Sequence, residues 1–147
     1  MRVRKSTLRI VFLISMLMLR AVDGYCAERS PEQFVRDFYQ WYFEKDVGDN
    51  VPLNSDEIYE YLFKPLVKDI REDRTGVSYF KKVGMESAEW RTVAPVVKAS
   101  IDLGDGIYLV PVALVLKSRM IDVVVVVKKK EEGMRITAIF DTYPLLW

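Results

Sequence analysis

The chain predicts an α+β domain, with helices gathered in its first half and antiparallel strands in its second. Three observations predict it. Aromatic and aliphatic residues recur at helical spacing between Phe34 and Ile70. Beyond Trp90 the pattern changes to valine- and isoleucine-rich runs. Short turn signals at 103–106, 117–119 and 129–133 separate those runs. Helices first and closely linked strands second is the order of an α+β fold carrying an antiparallel meander.

A different segment precedes the domain. Arg2, Arg4, Lys5 and Arg9 lead into an apolar run over 10–19, broken only by Ser15. A short stretch with small residues follows, over 21–27. This is the order of the three regions of a secretory signal. The apolar run is shorter than the ~20 residues a membrane-spanning helix needs. The expected organisation is a signal peptide over 1–24, cut between residues 24 and 27, and a single α+β domain over 28–147. An uncleaved signal-anchor helix is the competing reading. Val22 and Gly24 suit a cut before Tyr25, whereas a cut after Ala27 puts Tyr25 where a small residue is preferred. Cys26 raises the alternative of lipidation, but Asp23 and Tyr25 before it argue against that modification. As the only cysteine, Cys26 cannot form an intramolecular disulfide. The expected location is periplasmic or secreted, with a membrane-anchored form as the alternative. Membrane contact is expected only through the signal segment or a lipid anchor.

Composition removes several function classes. Residues 1–24 hold five basic side chains and one acidic one, so the remaining 123 residues carry 17 basic and 20 acidic groups, a formal −3. That charge supplies no electrostatic attraction for nucleic acid. The chain has no histidine. Histidine-based acid–base catalysis, Ser-His-Asp and Cys-His nucleophile sites, and imidazole-bound metals are therefore excluded. No catalytic motif, metal-ligand spacing or phosphate loop stands out, and no cofactor is expected.

Each element has its own signals. Ser30-Pro31-Glu32-Gln33 reads as a helix start, with Ser30 as cap and Gln33 returning a capping-box bond. Phe34, Phe38, Trp41 and Tyr42, with Val35 and Tyr39 beside them, form an aromatic inner face of a helix ending near Gly48. A second helix is predicted from Asn54 as cap, with Glu57 at the capping-box position and a stripe of Ile58, Tyr61, Leu62, Leu66 and Ile70. Pro65 should kink or divide it. Tyr79 and Phe80 sit on a short helical turn over 78–83. Four strands follow, over 92–101, 107–116, 120–128 and 134–141. Pro95 marks the first as an edge or bulged strand. Five consecutive valines, Val123 to Val127, suggest that the third is covered on both faces.

Three features carry a family resemblance: the aromatic helix opening from Phe34 to Tyr42, Trp90 before the first strand, and the strand–turn–strand from Val123 through Lys128, Lys129, Lys130, Glu131, Glu132 and Gly133 to Arg135 and Ile136. In this order they resemble a family of small bacterial envelope proteins catalogued as domain of unknown function 3828. The resemblance spans roughly residues 31–142. It implies a cone-like fold of the cystatin or nuclear-transport-factor-two kind, in which helices pack into a curved four-stranded antiparallel sheet. That family usually carries a tryptophan after the last turn glycine, where this chain has Met134. It brings no established catalytic residues.

A cone of this kind has a mouth, and Tyr39, Tyr42, Tyr61 and Trp90 are the residues expected near it, offering rings with one polar tip to an apolar ligand. The plainer alternative is that these rings fill the core. Of the strand carboxylates Asp102, Asp122 and Asp141, Asp141 is the best placed to act in such a pocket. Lys128, Lys129 and Lys130 with Arg119 gather positive charge for an anionic partner, or else form a solvated turn that discourages edge pairing. Leu145, Leu146 and Trp147 make an apolar terminus that either tucks back or docks. The leading expectation is an exported, non-enzymatic periplasmic protein that binds an envelope partner protein or a small apolar ligand. The alternatives are a carboxylate-dependent isomerase or hydrolase, and an inhibitor or immunity-type protein.

Overall fold

The computed structural model describes residues 29–46, 51–73, 79–80, 93–116 and 120–142. The predicted signal segment, Cys26, Trp90, Arg119 and the terminus with Leu145, Leu146 and Trp147 lie outside these residues. The fold is α+β. Helix α1 (Pro31–Lys45) and helix α2 (Lys64–Glu72) precede an antiparallel sheet of strands β1 (Pro95–Val97), β2 (Ile101–Asp102), β3 (Ile107–Val115), β4 (Met120–Lys130) and β5 (Gly133–Asp141). The sheet runs β1-β3-β4-β5, with β2 also paired to β3.

Helix α1 starts as its sequence dictates. The Ser30 hydroxyl accepts from the Gln33 amide, with Pro31 next in line. Gln33 does not close a capping box; its side chain donates to Asp37 instead. The helix ends at Lys45, short of Gly48, with the Asp46 amide closing on Tyr42. Its buried face comprises Phe34, Val35, Phe38, Tyr39 and Tyr42. Phe38 is the hub, meeting the rings of Tyr39, Trp41, Tyr42, Tyr61 and Phe80 at centroid distances of 5.1–6.2 Å. This face shares one core with Val110, Val112 and Leu114 of β3, with Val123, Val125 and Val127 of β4, and with Ile136 and Ile139 of β5.

The predicted second helix is divided, as Pro65 requires. Two short 3₁₀ segments, Pro52–Asn54 and Asp56–Glu60, come first, and α2 begins only at Lys64, with Pro65 in its first turn. The cap of the second 3₁₀ segment is Ser55 rather than Asn54. Pro65 has no amide hydrogen to bond the Tyr61 carbonyl as a continuous helix would need, and the chain is extended at the N-cap, Phe63 (φ −67°, ψ 131°). The straightened stretch is put to use at the sheet. Leu62 bridges Ile136 in parallel, the Phe63 amide donates to the Ile136 carbonyl at 3.0 Å, and the Ile136 amide donates to Tyr61 at 2.7 Å. The outer edge of β5 is thereby closed at one point. Arg71 holds α2 to this region by bonds to the Leu53 carbonyl and the Tyr59 hydroxyl.

The predicted first strand is also split, so the sheet has five strands where four were expected. The cause is Pro111 on the facing strand rather than Pro95. The Pro111 carbonyl accepts from the Lys98 amide. In an antiparallel ladder a residue's nitrogen faces the same neighbour as its carbonyl. Pro111 has no hydrogen to give there, and the pairing lapses. Val97 opposes Val112 and Ile101 opposes Leu109, so four steps on one strand meet three on the other. The Ser100 amide freed by this bulge donates to the Glu32 carboxylate at 2.8 Å. That bond ties the start of α1 to the sheet.

A second bulge lies in β5. Val126 opposes Ala138 and Val127 opposes Ile136, which leaves Thr137 without a partner residue. Bulges of this kind bend the strand and raise its twist. The turn at 103–106 needs left-handed backbone at Gly104, Asp105 and Gly106. A side chain at Gly106 would lie 2.8 Å from the Lys129 carbonyl oxygen.

The valine run is not covered equally on both faces. Val123, Val125 and Val127 are buried, whereas Val124 and Val126 are only half-buried. The described helices cover one face of the sheet alone, so the alternating pleat decides burial.

Candidate functional site

The outer face of the sheet, turned away from α1, is unusually apolar. Register places Ile101, Leu109, Val126 and Ala138 in one row across it, and Pro111, Val124 and Phe140 in the next. Several members are well exposed, among them Val96, Ile101, Met120 and, at 58%, Phe140. Scattered surface hydrophobics are ordinary, but neighbours sharing one face form a patch suited to a partner.

At one end of this face lies a cavity of about 770 Å³, between the 61–65 crossing and the β4–β5 hairpin. Tyr59, Phe63 and Pro65 form one wall, and Ile107, Val126 and Thr137 form the sheet side. Lys64, Lys128, Lys130 and Arg135 also line it, with Glu132 as the acid among the lining residues. Lys130 places its ammonium 5.0 Å from the Phe63 ring centroid, a cation–π distance. Arg135 donates to the neighbouring Met134 carbonyl. Among the described residues none of these four cations is paired with a carboxylate. Helix α2 starts at this cavity, and its N-cap residue Phe63 supplies no side-chain capping bond.

Tyr39, Tyr42, Tyr61 and Asp141, expected around a cone mouth, are placed elsewhere. Tyr39 and Tyr42 are fully buried beneath α1, and the Tyr39 hydroxyl donates to the Phe80 carbonyl. Burial pushes both phenols far above their ordinary range. Tyr61 is half-buried, stacked on Trp41 at 5.2 Å. Burial raises its phenol as well. Asp141 is exposed at the end of β5, and Trp90 lies outside the described residues. Tyr39, Tyr42, Tyr61 and Asp141 do not line the 770 Å³ cavity. The interior between helix and sheet is packed with the rings of Phe34, Phe38, Tyr39, Tyr42 and Phe80.

Two carboxylates are strongly engaged, both structurally. The Ser100 hydroxyl and amide hold Glu32 down at about 2. Hydrogen bonding from the Trp41 indole lowers Glu57, helped by Lys45. Among the described residues no three histidine, cysteine or acidic side chains gather as a metal site, and no helix is long and apolar enough to cross a membrane.

Of the residues lining the cavity, the sequence pattern singled out Lys128 and Lys130 as a site for an anionic partner. Phe63, Lys64 and Arg135 escaped it. Their signal was the alternation through Val126, Lys128 and Lys130, which puts both lysines on the outer face, together with the proline break that swings Phe63 over them.

No protein-family model matches the chain, and no curated protein matches it. Two solved structures do. One is a chain of the type VI native effector–immunity complex Tae3–Tai3 from Ralstonia pickettii, 29% identical with a TM-score of 0.68, the match covering 80% of this chain and 98% of that one. The other is the selenomethionine form of the same complex, 29% identical with a TM-score of 0.66, covering 78% and 98%.

Proposed function

We propose that this chain is an immunity-type protein: an exported domain that binds a type VI effector protein and neutralises it, without catalysis of its own. The observation that carries this reading is the likeness to the Tae3–Tai3 complex, which takes in 98% of the matched chain at 29% identity. Of the two kinds of component in such a complex, the immunity component suits this sequence better. A chain with no histidine has a narrow choice of nucleophiles and general bases. The interior between helix and sheet is filled by side chains, and the exposed apolar rows of the outer face offer area for a protein partner. The basic leader over 1–24, read as a secretory signal, would deliver the domain to the envelope.

The test is direct. Purified chain from residue 28 onward is mixed with a panel of type VI effectors that includes the effector of the Ralstonia pickettii complex. It is also co-expressed with each of them. The expected result is a stable complex on size exclusion with at least one effector, and protection of cells from that effector. Absence of any complex across the panel, or toxicity of the chain itself, contradicts the reading.

A further inference from the structure

We propose that the cavity beside Phe63 receives an acidic segment of the bound effector flanked by apolar residues, its carboxylates held by Lys64, Lys128, Lys130 and Arg135. This rests on the immunity-type function above and names the surface and the chemistry through which it acts. Charge is the first reason. The chain after residue 24 has a formal net of −3, yet this cavity is lined by four cations and one acid, Glu132. Among the described residues those cations lack carboxylate partners, so the cavity carries a positive field that an arriving anion would satisfy. The second reason is independent of side chains. The nine-residue helix α2 opens here without a side-chain cap, and a helix N-terminus favours negative charge.

The lining then selects among anions. Phe63, Pro65, Ile107 and Val126 present apolar surface between the cations. A free phosphate would leave that surface wet, whereas a polypeptide can bring carboxylates and apolar side chains together. A cavity of about 770 Å³ has the size of a ligand pocket and accommodates several side chains. Its concave shape also disfavours a flat lipid surface. Strand addition is blocked at this point of the β5 edge, since the Ile136 amide and carbonyl are already bonded to Tyr61 and Phe63. Recognition here is therefore by side chains.

The probes are a short fluorescein-labelled peptide alternating aspartate with leucine, the same peptide with lysine for aspartate, and phosphatidylglycerol vesicles. Wild-type chain should bind the acidic peptide, more weakly as salt rises, and ignore the basic one. The double variant Lys128→Glu/Lys130→Glu should lose at least about tenfold in affinity for the acidic peptide and for the effector. Lys128→Arg/Lys130→Arg should keep both. Lys64→Glu, on the helix and away from the sheet ladder, repeats the test if the double variant misfolds. Equal binding of both peptides, unchanged affinity after charge reversal, or binding to vesicles in place of the acidic peptide overturns the proposal. An effector complex that survives charge reversal sinks the cavity alone and leaves the immunity-type function standing. An acidic peptide that binds while no effector does would sink that function, and with it the effector as occupant.

Discussion

The two faces of the sheet are built from the same strands and nearly the same residues, yet they have different fates. Val123, Val125, Val127 and Ile139 point into a core filled by the rings of α1. Val124 and Val126 point the other way with Phe140, toward solvent and the basic cavity. One residue of displacement along a strand reverses the face. Composition alone therefore does not say which valines stabilise the fold and which meet a partner. The inner face is dense in aromatic contacts and satisfied hydrogen bonds. The outer face holds apolar area and, at the cavity, four cations that have no carboxylate partner among the described residues. Stability belongs to the first and recognition to the second.

This division can be broken at several strengths. The largest effect is expected at Phe38, which is fully buried and meets five other rings. Phe38→Ala should cost about 3–5 kcal/mol, read from the urea midpoint. An effect under ~1 kcal/mol would mean that the inner face is not the stabilising one. A smaller loss is expected at the turn joining β2 to β3. Gly104 and Gly106 both have positive φ, but only Gly106 faces the Lys129 carbonyl oxygen at 2.8 Å. Gly104→Ala should cost about 1 kcal/mol and Gly106→Ala about 2–3, because strain adds to a contact that must shift. Equal losses at both sites would remove the steric part of this account.

A weaker and pH-dependent effect is expected at Glu32. Its carboxyl is held down at about 2, against an ordinary 4.5, by bonds from Ser100. A depressed folded-state value contributes stability above the unfolded value and loses it as pH falls through the folded one. Glu32→Gln should therefore cost about 1 kcal/mol at neutral pH, a figure reduced for solvent exposure. The gap should close as pH drops from about 4.5 toward about 2. A gap that persists at the acid end would assign the loss to packing rather than to the charged bond.

The order of helices and strands, the cap at Ser30, the aromatic face of α1 and the hairpin turns were legible because each depends on neighbours in sequence. The split of the first strand was not. It arises from Pro111, which acts across the sheet on Lys98 and becomes decisive only once register is set. The same holds for Glu57. Its spacing suggested a capping box, but in the fold its carboxylate accepts from Trp41 of α1. For the cavity, Lys128 and Lys130 could be picked out as charge. Phe63, Lys64 and Arg135 could not, because Leu62 has to bridge Ile136 before these residues come together. Tyr39 and Tyr42, expected at a cone mouth, are core rings: a stripe at helical spacing says that side chains share a face, and the sheet packed beneath decides whether that face is open.

The most direct test compares two adjacent residues of β5, Ile139 facing inward and Phe140 facing outward. Urea unfolding and titration with the effector that the chain neutralises are measured on Ile139→Ala and Phe140→Ser. The expected result is a loss of about 2–5 kcal/mol in stability for Ile139→Ala, with affinity kept under folding conditions. Phe140→Ser should change stability by no more than about 0.5 kcal/mol and weaken effector binding at least about tenfold. Phe140→Ser binding as tightly as wild type, or unfolding as readily as Ile139→Ala, would contradict the division of labour between the two faces.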